Sequence, residues 1–239
     1  MKWSHFFTSA IGKKIVMGLT GIFLILFLVA HVGLNACMFY DLPIFDPYDN
    51  GEMFNKAAHF MGSTLVMRLL EIVLFIGFFI HIIQGWSLEL QNRKKRGQGY
   101  NVDLGNRGSK WYSRSMGLLG TLVFFFLVLH ISDFWIPSRI THNLEPVTYN
   151  GVDMHDLYLK MFDAFQSGIV VVLYLIGVIS LFYHLMHGFS SAFRTLGVYN
   201  KKYQSMLKAT GYGFTIIVCL LFALMPISMY FQWVTPHNP

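Results

Sequence analysis

A chain of 239 residues with 54% hydrophobic and only 13% charged residues is not composed like a soluble domain, in which about a quarter of residues are charged. Its net charge of +6 would suit a nucleic-acid partner in a soluble protein. Here the cations sit in the links between apolar runs, so no nucleic acid is expected. The two cysteines, Cys37 and Cys219, both lie in apolar segments, and no C-x-x-C-H occurs. This excludes a disulfide framework, a cysteine-pair metal site and covalent haem attachment.

Five apolar stretches follow one another, near 15–39, 64–90, 115–135, 166–190 and 209–233. Each is long enough for a membrane-spanning helix, which takes about 20 residues. The first follows a short polar head with Lys13 and Lys14. It is too long for a signal peptide and lacks a small-residue cleavage site, so it reads as a permanent span. Three cations precede it (Lys2, Lys13, Lys14). Seven lie between the second and third spans (Arg93, Lys94, Lys95, Arg96, Arg107, Lys110, Arg114), and four between the fourth and fifth (Arg194, Lys201, Lys202, Lys208). Against these 14, the other side carries four: Lys56, Arg68, Arg139 and Lys160. The positive-inside rule then places the N-terminus in the cytoplasm and the C-terminus outside. The outer loops, about 40–63 and 136–165, hold most of the acids, and no link is long enough for a soluble catalytic domain. The expected fold is an all-α integral membrane protein, a single membrane domain over 1–239 with five transmembrane helices.

Ionisable side chains at membrane depth are costly and usually functional. The first four spans each carry one: His31, His81, His130 and His184; the fifth has none. Counted from the cytoplasmic end of each span, His31 is about 16 residues in and His130 about 15, whereas His81 is about 9 in and His184 about 6. At about 1.5 Å per residue this predicts two levels roughly 10–12 Å apart, with His31 and His130 on the outer one and His81 and His184 on the inner. One such histidine is readily a satisfied core residue. Four on consecutive helices, paired by depth, point to two bis-histidine haems held between the first four helices. The stretch "SLFYHLMHGFSSAFR" (180–194) adds detail. Gly85 follows His81 by four residues and Gly188 follows His184 by four, each one turn on and on the ligand's face, where a flat macrocycle needs room. Small residues also serve ordinary helix packing in membranes. His187 lies three residues after His184 and is the alternative ligand; otherwise it bonds a haem propionate or quinone, or snorkels to the interface. A zinc or copper site would want its ligands at one depth. A proton relay in a transporter would add membrane-embedded acids, and only Glu71 and Asp133 qualify. His5, His59, His142, His155 and His237 read as surface residues.

The stretches "LFLVAHVGLNACMFYD", "FFIHIIQGWSLELQNR", "FLVLHISDFWIPSR" and "YHLMHGFSSAFRTLG", in this order, resemble the dihaem cytochrome b membrane anchor of bacterial succinate:quinone oxidoreductases, the succinate dehydrogenases and fumarate reductases. The likeness covers essentially the whole chain. It implies that His81 and His184 ligate the proximal haem, near an iron–sulfur subunit, and that His31 and His130 ligate the distal haem. It implies a flavoprotein partner with covalent FAD, where succinate and fumarate interconvert, and an iron–sulfur partner with three clusters. The heterotrimer can in turn pair as a dimer. This chain would pass electrons to or from a membrane quinone, typically menaquinone, in the bacterial cytoplasmic membrane. Quinone chemistry needs a proton-handling group beside an electron carrier, and Glu71 or Asp133 is the expected one. Arg68 would neutralise a propionate or Glu71, or simply anchor the helix end with it. Ser190, Ser191 and Arg194 would hold inner-haem propionates. Arg93–Arg96 would face the partner subunit or anionic lipid. The cytochrome b subunit of a hydrogenase or formate dehydrogenase, and a polytopic transporter with proton-handling histidines, are the alternatives.

Overall fold

The computed structural model describes residues 9–96, 110–198 and 200–236. Lys2, His5, Arg107 and His237 lie outside the described residues. The chain is helical almost throughout. Helix α1 (Ala10–Asn35) runs on as a 3-10 turn (Ala36–Asp41). Then come α2 (Glu52–Ser63), α3 (Leu65–Arg96) and, after one turn at Trp111–Arg114, α4 (Met116–His130). Helix α4 is extended by two π-helical stretches, Ile131–Trp135 and Pro137–Thr141. A hairpin of β1 (Pro146–Tyr149) and β2 (Val152–His155) leads into α5 (Leu157–Phe165), α6 (Gly168–Thr195) and α7 (Lys201–Tyr230).

Among the described residues, five stretches are long and apolar enough to cross a membrane: Ile11–Asp41, Leu65–Lys95, Met116–Thr141, Gly168–Thr195 and Lys202–Tyr230. They match the five expected spans, and this is a multi-pass membrane protein. Inside a bilayer the backbone must satisfy its own polar groups, and an uninterrupted helix does so. The outward faces are apolar, with Leu26, Phe79, Ile83, Phe125 and Ile217 all largely exposed, as a lipid environment allows.

Pro137 explains the change of winding after His130. It has no N–H to donate to the Asp133 carbonyl four residues back, and its ring would clash with it. The helix widens there instead, and single π turns of this kind recur at functional sites.

The two segments expected as outer loops, 40–63 and 136–165, are folded. They hold α2, the hairpin and α5. The hairpin turns on Asn150 (φ 51°) and Gly151 (φ 77°). Both central residues adopt positive φ, the two-residue turn whose twist suits paired strands.

The chain forms two compact units. The first comprises Met1–Phe27, Val73–Phe124 and Ser180–Ile217. Within it α1 meets α6 closely at Gly18, where an added Cβ would stand 3.4 Å from the Ala192 carbonyl oxygen. Lys13 Nζ donates to Ser87 Oγ at 3.0 Å, joining α1 to α3. Trp111, Tyr112 and Tyr183 form an aromatic cluster.

The second unit comprises Leu28–Ile72, Phe125–Ile179 and Val218–Pro239. Its non-spanning elements are tied together by Asn55, which is fully buried. The Asn55 amide donates to Asp156 Oδ1 at 2.9 Å and to the Tyr149 hydroxyl at 3.2 Å, and its Oδ1 accepts from the Tyr158 N–H at 3.0 Å. Asp156 also caps α5 by accepting from the Leu159 N–H. The Tyr158 ring lies over Gly51, which holds φ 74°; any side chain at Gly51 would run into the ring. Burial, and after it the neighbouring Asp41, push the Tyr158 hydroxyl above its ordinary titration range. Replacing Asn55 by Leu would orphan the buried Tyr158 N–H at a cost of about 1–3 kcal/mol. The expected result is a lower melting temperature in detergent and faster proteolysis of the 40–63 and 142–165 segments. An unchanged melt would show that the network contributes nothing.

Candidate histidine-pair sites

Each unit contains one facing pair of imidazoles within its spans; in the second unit His142 and His155 also stack, outside the spans, with ring centroids 5.9 Å apart. In the first unit, His81 on α3 and His184 on α6 have ring centroids 6.2 Å apart at an interplanar angle of 68°. In the second, His31 on α1 and His130 at the end of α4 are 5.6 Å apart at 88°. These are the two pairs expected from depth. The ring that faces His81 is that of His184.

The spacing can be tested against a shared metal. With metal–nitrogen bonds of about 2 Å and each ring centroid about 1.1 Å beyond its nitrogen, two axial imidazoles have centroids about 6.3 Å apart. The His81–His184 pair has this separation, and the His31–His130 pair is somewhat closer. Among the described residues, no group of three or more His, Cys, Asp or Glu side chains gathers. The donor sets on offer are therefore two-imidazole sets. Two neutral imidazoles on facing helices suit the axial positions of a haem iron.

The surroundings differ around the four rings. His81 Nδ1 lies 3.1 Å from the Thr20 hydroxyl of α1. His31 Nδ1 lies 3.3 Å from the Asn35 amide nitrogen, which also donates to the His31 carbonyl at 2.8 Å. The Nδ1 atoms of His130 and His184 are buried and have no hydrogen-bond partner among the described residues. A buried orphan of this kind costs of the order of 1–3 kcal/mol and calls for an explanation. A group bound between the rings would fix their orientation and use the nitrogens that face it.

Glycines lie against both rings of the first pair. An added Cβ at Gly21 would stand 3.7 Å from His81 Cε1, and one at Gly120 would stand 3.6 Å from His184 Cε1. Of the two glycines expected from the H-x-x-x-G pattern, Gly85 faces Met17, whose Cε would be 3.0 Å from an added Cβ, and Gly188 has nothing within 4 Å of an added Cβ. In the second unit His130 is boxed by Phe126, Phe134 and Tyr174, and Phe222 of α7 packs on His31. The fifth span thus supplies a wall and no ligand.

The two acids fall in separate clusters of the second unit. Tyr174 donates to Asp133 Oδ2 at 2.7 Å, and the Tyr174 ring touches that of His130. Asp133 is therefore linked to the His31–His130 pair through one tyrosine. Glu71 accepts from Trp135 Nε1, with Arg68 Nη1 3.8 Å from Oε2 and Arg139 Nε 3.7 Å from Oε1. Arg68 thus faces Glu71, as one of its expected roles required. Arg139, expected only as a loop cation, joins the same carboxylate and packs on Gly62. Arg194 and Ser190 line a small cleft with Val198, Gln204, Leu207 and Lys208. Arg93 pairs with Glu89 at 2.6 Å.

Thr20, Gly21, Gly120, Tyr174, Trp135 and Arg139 were not singled out from the sequence. None is a candidate metal ligand, and each joins its site only through a neighbouring helix; Trp135 and Arg139 lie in the stretch "FLVLHISDFWIPSR" but were given no role there. Comparison with protein-family models, with curated proteins and with solved structures finds no match for this chain. Replacing Tyr174 by Phe removes its hydrogen bond to Asp133 Oδ2. A loss of about 1–2 kcal/mol on thermal unfolding in detergent is expected. Wild-type stability in this variant would show that Asp133 is satisfied without the tyrosine.

Proposed function

We propose that this chain is the dihaem cytochrome b anchor of a membrane-bound succinate:quinone oxidoreductase, a succinate dehydrogenase or fumarate reductase, carrying electrons between an iron–sulfur partner and menaquinone. The observation that carries the reading is the arrangement of four imidazoles, one from each of α1, α3, α4 and α6, as two facing pairs. His81 and His184 would hold the proximal haem iron, and His31 and His130 the distal one. The haems, when bound, supply one-electron redox chemistry within the membrane.

The chain's own residues have three tasks in this reading. The imidazole pairs would ligate the irons, and iron held by two protein ligands favours electron transfer over binding of small molecules. Cations would hold the propionates: Arg194 with Ser190 and Ser191 toward the cytoplasm, and Arg68 at the other end, where Arg139 stands beside it. Glu71 or Asp133 exchanges the quinone's proton. Glu71 sits among two guanidiniums and an indole N–H, and Asp133 holds a tyrosine hydroxyl that can pass a proton on. The flavoprotein with FAD and the iron–sulfur subunit with its clusters are partners on the cytoplasmic side, where the cation-rich links lie. Arg93–Arg96 would meet that partner or anionic lipid. The N-terminus is cytoplasmic, the C-terminus is outside, and the membrane is the bacterial cytoplasmic one.

A pyridine haemochromogen assay with a reduced-minus-oxidised spectrum tests the reading. Two low-spin haems b per chain are expected. None, or one, would overturn it and favour a transporter or a monohaem cytochrome. His184→Ala should lose one haem, whereas His187→Ala should keep both; the reverse would move the ligand to His187. Glu71→Gln and Asp133→Asn, compared in the assembled complex, should leave the haem spectrum intact. At least one should lower quinone-linked turnover by about 10²-fold or more. Full turnover in both would remove both acids from the proton step.

A further inference from the structure

Thr20 stands against the His81 ring with its hydroxyl already committed. Its Oγ1 lies 2.8 Å from the Val16 carbonyl oxygen one turn back and 3.2 Å from that of Met17. A threonine hydroxyl has a single hydrogen. When that hydrogen goes to the nearer carbonyl, Oγ1 presents only lone pairs to His81 Nδ1, 3.1 Å away. The ring nitrogen must then be the donor. In that arrangement the proton resides on Nδ1, and Nε2 keeps its lone pair free.

The partner ring has no such support. His184 Nδ1 is buried without a hydrogen-bond partner among the described residues. The residue of α4 that faces it is Gly120, whose added Cβ would stand 3.8 Å from that nitrogen. The neighbour supplies space where α1 supplies a hydroxyl.

We infer that Thr20 is a positioning residue for the His81–His184 site, which holds His81 in the Nε2-ligating tautomer and makes it the more basic ligand of an unequal pair. This rests on the proposed haem-binding function. A ligating histidine that gives its other N–H to an acceptor becomes a stronger donor to the metal. A stronger donor favours ferric over ferrous iron, so Thr20 lowers the potential of one haem and leaves the other alone.

The test is an optical redox titration of the purified holoprotein, with haem content measured on the same samples. Thr20→Val keeps the shape and removes the acceptor. It should raise the midpoint potential of one haem only, with both haems retained or that one partly lost. Thr20→Ser should restore the wild-type value. Gly120→Ser places a hydroxyl within reach of His184 Nδ1 and should shift the same haem downward, whereas Gly120→Ala should not. Unchanged potentials in both Thr20→Val and Gly120→Ser, in a protein that holds two haems, would overturn the inference and leave the cytochrome reading standing. Equal shifts of both haems in either variant would also overturn it. A wild-type protein without haem would overturn both.

Discussion

The whole molecule is organised around the cost of keeping a polar ring away from water. An imidazole nitrogen in an apolar helix bundle must meet a donor, an acceptor or a metal, or destabilise the fold by its absence. Four such rings have been placed on four different helices, and each is met by another imidazole. The rest of each unit is arranged to permit that meeting. Glycines at 21 and 120 lie against the rings of the first pair, and phenylalanines enclose His130 in the second. Hydrogen-bonding partners reach two rings and leave two without. The unequal support within each pair is as characteristic of the structure as the pairing itself.

The spans and the pairing were legible in the amino-acid order because both depend on one-dimensional quantities. A run of apolar residues is long enough to cross a bilayer or it is not. A histidine's depth follows from a count along one helix at a fixed rise. What surrounds a ring depends on how neighbouring helices are turned about their axes, and no count along one chain gives that. Thr20 and Gly120 therefore passed as ordinary membrane-helix residues, and Gly85 was credited with space that Met17 occupies. Arg139 lay past the apparent end of its span, beyond the apolar run. In the structure the helix runs on past that end, and Arg139 meets Glu71.

The segments between the spans were under-read for a different reason. Asn150-Gly151 between Tyr149 and Val152 is a strong local hairpin signal, yet it stands among polar residues that also suit a loop. The order there comes from a buried amide, Asn55, bonded to groups about a hundred residues away. A long-range polar contact of this kind leaves no periodicity behind. Folded segments joined this way give the second unit a framework that does not depend on lipid.

In register, a π turn is an α-helix into which one residue has been inserted. The turn takes up that residue within itself, so the helix before and after it keeps its course. Pro137, with no N–H to offer the Asp133 carbonyl, holds the segment open whatever its length. An ordinary residue in its place would remove that obstacle, and the side chains just beyond it would meet different neighbours. Arg139 is one of them, and it is the second guanidinium beside Glu71. The charge around that carboxylate thus depends on a ring that carries none.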